Sequence, residues 1–386
     1  MSEINSSNFK KEHGDLAPDL VGVTELTSPY FFVPPSGNTA ERPEDCEPGT
    51  LRFNTDHGSL EVFRGNTIGW EQIQRRDGQY LGGGITPNLG SNSGTGTRGI
   101  FYSGNVPSND VIQFVTISTL GDAKDFGDAN TATRVSASFS SRTRCFKAGG
   151  YNDPSGAKDV IEFVTFSSTG NGTDFGDLLN TKYNVCGFSD STRGVAAGGE
   201  RPGTSYFDVI EYVTMSSAGN SVDFGNMIVG NQVGQNGGMA SSTRGIIAGG
   251  YASPGSNTNV IQFVTISSTG NATDFGDLIA AESRTGCCSN AVRGVIGAGS
   301  PATNRISFIT MASLGNAVDF GDSTNDYEGK AGMNSPTRGI WGGSDGDATD
   351  TIEHVEIATT GNAVDFGNLL ASRRQLSGSS NGHGGL

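Results

Sequence analysis

Basic residues are scarce. There are 25 lysines and arginines against 40 aspartates and glutamates, a formal net charge of −15, and no basic block anywhere. Binding a phosphate backbone needs a basic track, so this composition disfavours nucleic acid as a partner. No apolar run approaches the roughly 20 residues of a membrane span, and no early stretch resembles a secretory signal. The expectation is cytoplasmic synthesis without membrane insertion. Cysteines number five, Cys46, Cys145, Cys186, Cys287 and Cys288, an odd count in no zinc spacing. They read as small buried apolar residues. Four scattered histidines, His13, His57, His354 and His383, build no Ser/His/Asp arrangement. No catalytic residue, metal ligand or cofactor is assigned, and the chain reads as a non-enzyme.

What is abundant is glycine, 59 of 386 residues, and repetition. VIQFVTISSTGNATDFGDL, from Val260, recurs in variant form from Val111, Val160, Val209, Arg305 and Thr351. Each copy follows a run of the STRGIIAGG type led by Arg98, Arg144, Arg193, Arg244, Arg293 or Arg338, so neighbouring arginines stand 46, 49, 51, 49 and 45 residues apart. Such a period marks a repeat architecture. In VIQFVTIS, Val260, Val264 and Ile266 share one face of an extended strand and Ile261 and Phe263 the other. That predicts cover on both sides. The turn Ser-Thr-Gly-Asn follows, then a shorter strand anchored by Phe275. With the Gly-terminated run and a small-residued run before it, each repeat carries four short strands.

One such unit cannot bury its own faces; six stacked radially can, so the expected fold is an all-β propeller. The Gly doublets at 149–150, 198–199, 249–250 and 342–343, the VIEFVT-type strand and the aromatic-anchored last strand resemble the kelch repeat. The chain departs from it in placing Phe of Asp-Phe-Gly where kelch units usually have Trp. The resemblance implies a kelch-like β-propeller of six blades over 97–386. RRQLSGSSN, after the last repeat, matches the strand that opens each repeat and is expected to pair with Arg98–Tyr102. In a rival count of seven, LRFNT, LEVFRG and WEQIQ make a further blade completed by that C-terminal strand.

Ahead of the repeats, 1–48 reads as an extended, Pro-punctuated arm with an aromatic patch, Tyr30, Phe31 and Phe32. That patch is either a particle-docking segment or a contact with the chain's own propeller. Residues 49–75 alternate as a small β-hairpin module with a third strand at Trp70, and 76–96 form a Gly/Ser linker. Gly49-Thr-Leu-Arg-Phe-Asn-Thr-Asp56, Ser59-Leu-Glu-Val-Phe63 and Gly69-Trp70-Glu71 resemble a module of tail-fibre and other virion proteins of tailed bacteriophages. Followed by DFGDL-type repeats, the module resembles proteins carried by phages of marine bacteria and cyanobacteria.

Several motifs look chemical and are weighed as structure. Asp-Phe-Gly occurs six times without kinase companions, so it reads as an anchor: Phe packs between blades, Asp and Gly make a turn. The repeated Arg pairs either with that Asp or with a carbonyl. Asp345, Asp347 and Asp350 read as a solvated loop and not a calcium site. Asn171 and Asn271, in glycosylation sequons, read as turn residues. The loops after the Gly doublets, in contrast, differ in length and chemistry while the strands scarcely change. Tyr151, Arg201, Tyr206, Phe207 and Tyr251 lie on them and are the candidate contacts to a sugar or a protein partner.

The resemblance implies a virion structural protein. Its N-terminal part would attach to other virion proteins of tail, fibre or capsid, with the module as a possible homo-oligomer contact. Its propeller would project as a tail-fibre or host-binding domain toward a surface receptor or glycan. A capsid or neck decoration without receptor role is the alternative. A propeller enzyme acting on glycans is disfavoured, because the small-residued strands offer Ser, Gly, Ala and Cys where such enzymes need converging carboxylates, Arg, Tyr or His.

Overall fold

The strand signal of the repeats is realised throughout. A computed structural model describes residues 35–43, 46–56, 59–65, 69–72, 97–105, 109–203, 206–229, 231–232, 237–252, 255–297 and 299–386. Their regular structure is strand apart from one 3-10 turn, Thr39–Glu41. The chain divides into two compact units, Met1–Arg75 and Arg76–Leu386.

In the first unit Ser36–Gly37, Leu51–Asn54, Ser59–Phe63 and Trp70–Gln72 form one sheet in that order, the first pair parallel and the others antiparallel. The first strand lies upstream of the hairpin module read from the sequence. Burial along the hairpin inverts the usual pattern: Arg52, Asn54 and Glu61 are buried beside Phe63, while Leu51 and Leu60 are exposed. The buried carboxylate of Glu61 accounts for this. It accepts from Arg42 Nη2 at 2.6 Å and from Asn54 at 3.1 Å, with Arg52 Nε 3.5 Å away. The hydrogen bond from Arg42, first among the causes, holds that carboxyl below the usual range. Register sets Leu51 opposite Val62 and Phe53 opposite Leu60, which leaves an apolar stripe on the open face.

In the second unit each repeat contributes to an antiparallel sheet ordered by sequence. For the copy at Val260 the four strands are Gly238–Ala240, Arg244–Ala252, Ser256–Thr265 and Thr273–Asp277, with Asn231–Gln232 added at one end. This is sheet four. Sheet two comprises Ala137–Ser140, Arg144–Ala148, Val160–Thr165 and Thr173–Asp177; sheet three, Cys186–Ser189, Arg193–Ala197, Val209–Thr214 and Val222–Asn226. Sheet five runs Cys287–Ser289, Arg293–Ile296, Arg305–Thr310, Val318–Asp322; sheet six, Ala331–Asn334, Arg338–Gly342, Thr349–Glu356, Val364–Arg373. Sheet one has Arg98–Tyr102, Val111–Thr116 and Lys124–Asp128 and receives its remaining strand, Ser377–Ser380, from the far end of the sequence.

Both faces of the third strands are covered, as the apolar pattern requires. Val264 and Ile266 pack with Phe224 and Ile210 of sheet three, whereas Ile261 and Phe275 pack with Ile309 and Met311 of sheet five. An equivalent apolar cluster lies between each consecutive pair of sheets, and another holds Ile340 and Phe366 of sheet six against Phe101 and Ile117 of sheet one. Every Asp-Phe-Gly phenylalanine is buried and meets the third-strand residue of its own sheet edge-on, as Phe275 meets Phe263 at 6.0 Å. Here the expectation for Asp and Gly is corrected: they lie inside the fourth strand, Thr273–Asp277, and make no turn.

Their place in the strand has a reason. Gly276, at φ +148°, lies so near sheet five that a Cβ would stand 2.5 Å from Gly315 O. There Gly315 N donates to Phe275 O, Asp277 N to Asn316 Oδ1 and Ala317 N to Asp277 O. Asn171 and Asn271 accept in the same way, so the sequon asparagines are engaged in turns. The outer strand of one sheet is thereby hydrogen-bonded by the turn of the next, which leaves less free edge for aggregation. The repeated arginines choose carbonyls over aspartates: Arg244 Nη1 donates to Met311 O at 3.0 Å while its guanidinium lies 5.0 Å over Phe263.

Candidate functional site

Two kinds of segment meet at one end of the strands. In sheet two the second strand ends before its glycines, Gly149 (φ +66°) and Gly150 (φ +106°), which turn the chain out into a variable loop, whereas in sheet four it runs through Gly249-Gly250 to Ala252. Incoming chain passes a residue in the left-handed region before the first strands of sheets two, three, five and one: Val135, Asn184, Arg284 and Gln375 have φ between 52° and 61°. The side chains at this end therefore come from both segments.

Of the sequence candidates, Tyr206, from the loop of sheet three, meets Tyr251, which lies in the second strand of sheet four and not on a loop, with ring centroids 5.9 Å apart and planes at 81°. Tyr151 stands in a different group. It meets Tyr183 edge-on at 5.1 Å, and Arg134 lies 5.0 Å over its ring. Phe207 sits 5.8 Å from Lys182 Nζ, and Arg201 is exposed. Tyr30, Phe31 and Phe32 fall outside the described residues, as do His13 and His57.

Sequence reasoning overlooked Arg134, Tyr183, Arg284 and Gln375. Arg134 donates to Gln375 Oε1 at 2.9 Å and pairs with Asp153 at 3.2 Å. Burial, then the neighbouring Glu200, pushes the Tyr183 phenol up to about 12. Asp345 also departs from expectation: it is buried rather than solvated, and it pairs with Arg284 Nη1 at 2.6 Å. The available signal was a polar or charged residue recurring just before each small-residued strand, in TATRVS, TKYNVC and SRRQLS.

A second unforeseen set is buried in the third strands. Glu162 pairs with Lys147 at 3.0 Å, Glu353 with Lys330 at 2.6 Å, and Glu211 with Lys182. Gln113 and Gln262 hold the same position in sheets one and four. These side chains accept backbone N–H groups of chain arriving from the preceding sheet: Asn130 to Glu162, Leu179 to Glu211, Ile228 to Gln262, Thr324 to Glu353 and Leu370 to Gln113. Burial lowers the proton affinity of Lys147, against the attraction of Glu162. The arrangement organises chain crossings and presents no reactive group to solvent.

The first strands surround a cavity of about 40 Å³ lined by Ser138, Ser189, Asn334 and His383 among others, room for a few waters. Residues 382–386 are buried. His383 Nε2 lies 3.0 Å from Ser140 O, a pure acceptor, and Nδ1 accepts the Gly385 N–H at 3.2 Å. The imidazole is therefore neutral and protonated on Nε2. Among the described residues no group of three or more His, Cys, Asp or Glu could hold a metal ion, and no helix is long and apolar enough to cross a membrane. A scan against models of protein families and a search of curated proteins give no match to this sequence.

Proposed function

We propose that the six sheets are blades of a kelch-like β-propeller, and that the chain is a non-enzymatic structural protein of a tailed-phage particle. In this reading the N-terminal part attaches to other virion proteins and the propeller projects as a tail-fibre or host-binding domain. The count of six is supported by contacts that recur from sheet to sheet and return from sheet six to sheet one: Arg338 Nη1 to Ile117 O at 3.0 Å, and Asn368 N to Asp122 Oδ1 at 2.9 Å. The strand a seventh blade would need, Ser377–Ser380, is already paired with Arg98–Tyr102.

The observation that carries the binding role is the contrast between near-identical strands and the unlike loops they hold at one end, where Tyr206 and Tyr251 meet. A rigid scaffold with variable loops is how a recognition surface is built. Attachment by the first unit is supported by its exposed stripe of Leu51 and Leu60, half-covered Phe53 and Val62 beside them. The resemblance of 49–71 to virion modules supplies the particle.

Antibody labelling of purified particles tests the reading. Label on particles, with added propeller fragment 97–386 slowing adsorption to host cells, is the expected result. Label without any effect on adsorption would favour a capsid or neck decoration, and absence from particles would overturn the proposal.

A further inference from the structure

At the end of the strands opposite the variable loops, short turns join first strands to second strands. Asp190-Ser191-Thr192, Ser241-Ser242-Thr243, Asn290-Ala291-Val292 and Ser335-Pro336-Thr337 contain no cation; Ser141-Arg142-Thr143 contains Arg142. Its neighbour Arg144 is fully engaged, donating from Nη1 to Met215 O at 3.2 Å and lying 4.6 Å over Phe163. Arg142 is half-buried, and among the described residues its guanidinium has neither hydrogen bond nor ion pair.

Arg142 is one of the residues lining a cleft of about 380 Å³ between sheets two and three. Thr143, Ser191 and Ser216 share the lining with the almost wholly buried Met215, and no acidic residue does. The nearby Asp190 directs Oδ1 into its own turn, onto the N–H groups of Thr192 and Arg193 at 2.7 Å. In a chain of net charge −15, the cleft is a local reversal of sign. Its volume is at the lower end of small-molecule sites, about 300–1,000 Å³. A planar fork of donors matches the two oxygens of a carboxylate or sulfate. Serine and threonine hydroxyls, which both donate and accept, suit the hydroxyls of a sugar.

We propose that this cleft binds a monosaccharide unit bearing an oxyanion, with Arg142 holding the anion and Thr143, Ser191 and Ser216 meeting ring hydroxyls. The site is separate from the variable loops and does not depend on the particle assignment.

The test uses the isotope-labelled full chain at neutral pH, following the Thr143 and Ser191 amide resonances. Methyl glucuronide and a sulfated glucoside are the two anionic probes; methyl glucoside and inorganic sulfate are controls. Saturation by at least one anionic sugar at concentrations on the order of 10 mM is expected, as for one charged fork on an open cleft. The anionic probe that saturates first identifies the source of the oxyanion. Both controls should bind about tenfold or more weaker, as should R142Q with the anionic sugar, while R142K keeps part of the affinity. Equal binding of the neutral sugar, equal binding of bare sulfate, unchanged affinity in R142Q, or no saturation by either probe overturns the proposal.

Discussion

Arg338 Nη1 donates to the carbonyl oxygen of Ile117, 221 positions earlier in the chain, at 3.0 Å. The same bond joins Arg98 to Phe166 and Arg293 to Ile357, 68 and 64 positions apart. Only the bond from Arg338 runs backward along the sequence. Arg338→Met removes a charged donor from a carbonyl in a packed interface and should cost about 1.5–3 kcal/mol. Hydrogen exchange should rise in Ser377–Ser380 and Arg98–Tyr102 before it rises in sheet three. Uniform exchange would show that sheets six and one are not coupled through this contact.

Adjacent residues of the Asp-Phe-Gly motif should behave oppositely. Phe275→Ala empties a buried site and should cost about 3–5 kcal/mol. Asp274→Ala, at an exposed position, should cost under about 0.5 kcal/mol. Asp345→Ala leaves Arg284 without its close partner and should cost about 2 kcal/mol, below the value for a fully buried pair because Arg284 remains a third exposed. Urea titrations compare all three; an Asp345→Ala cost near zero would restore the solvated-loop reading.

Sheet two can be converted to the chemistry of sheet four. Lys147→Ile alone strands the buried Glu162 and should cost about 3–5 kcal/mol. Lys147 faces Glu162 in register as Ile247 faces Gln262. Adding Glu162→Gln should therefore recover stability to within about 1 kcal/mol of the parent, with the amide still accepting Asn130 N–H. A double variant no better than the single would mean that the charge itself is required.

Stability should depend on pH through His383. Burial pushes its imidazole down to about 4, with Arg142 acting in the same direction and the Ser140 carbonyl and Asp190 against it. A depressed folded-state value means the unfolded chain takes up the proton first. The stabilisation is complete above the unfolded value of about 6.5 and is lost as pH falls toward about 4. Between pH 7 and pH 5 the loss should be about 2 kcal/mol, since the full slope of about 1.4 kcal/mol per pH unit applies only over the roughly 1.5 units below about 6.5. Urea midpoints of the parent and of His383→Gln at the two pH values isolate this share from that of the carboxylates. Parallel losses in both proteins would show that His383 titrates normally.

Four strands per repeat, apolar cover on both faces and the burial of Phe275 were determined by the sequence, because side-chain alternation and turn residues act over a few positions. The orphan run RRQLSGSSN also announced its partner, since it matches what sheet one lacks. Contacts between distant segments were a different matter. Whether Arg244 reached an aspartate or the carbonyl of Met311 depended on where sheet five came to rest. Asp345 looked solvated among glycines until the incoming chain carried Arg284 against it. The inversion at Leu51 and Glu61 follows from Arg42 lying on one face of a hairpin whose own alternation is the same either way up. Only the tertiary structure decided these, because burial and pairing of a charge are set by what packs over it, and that comes from elsewhere in the chain.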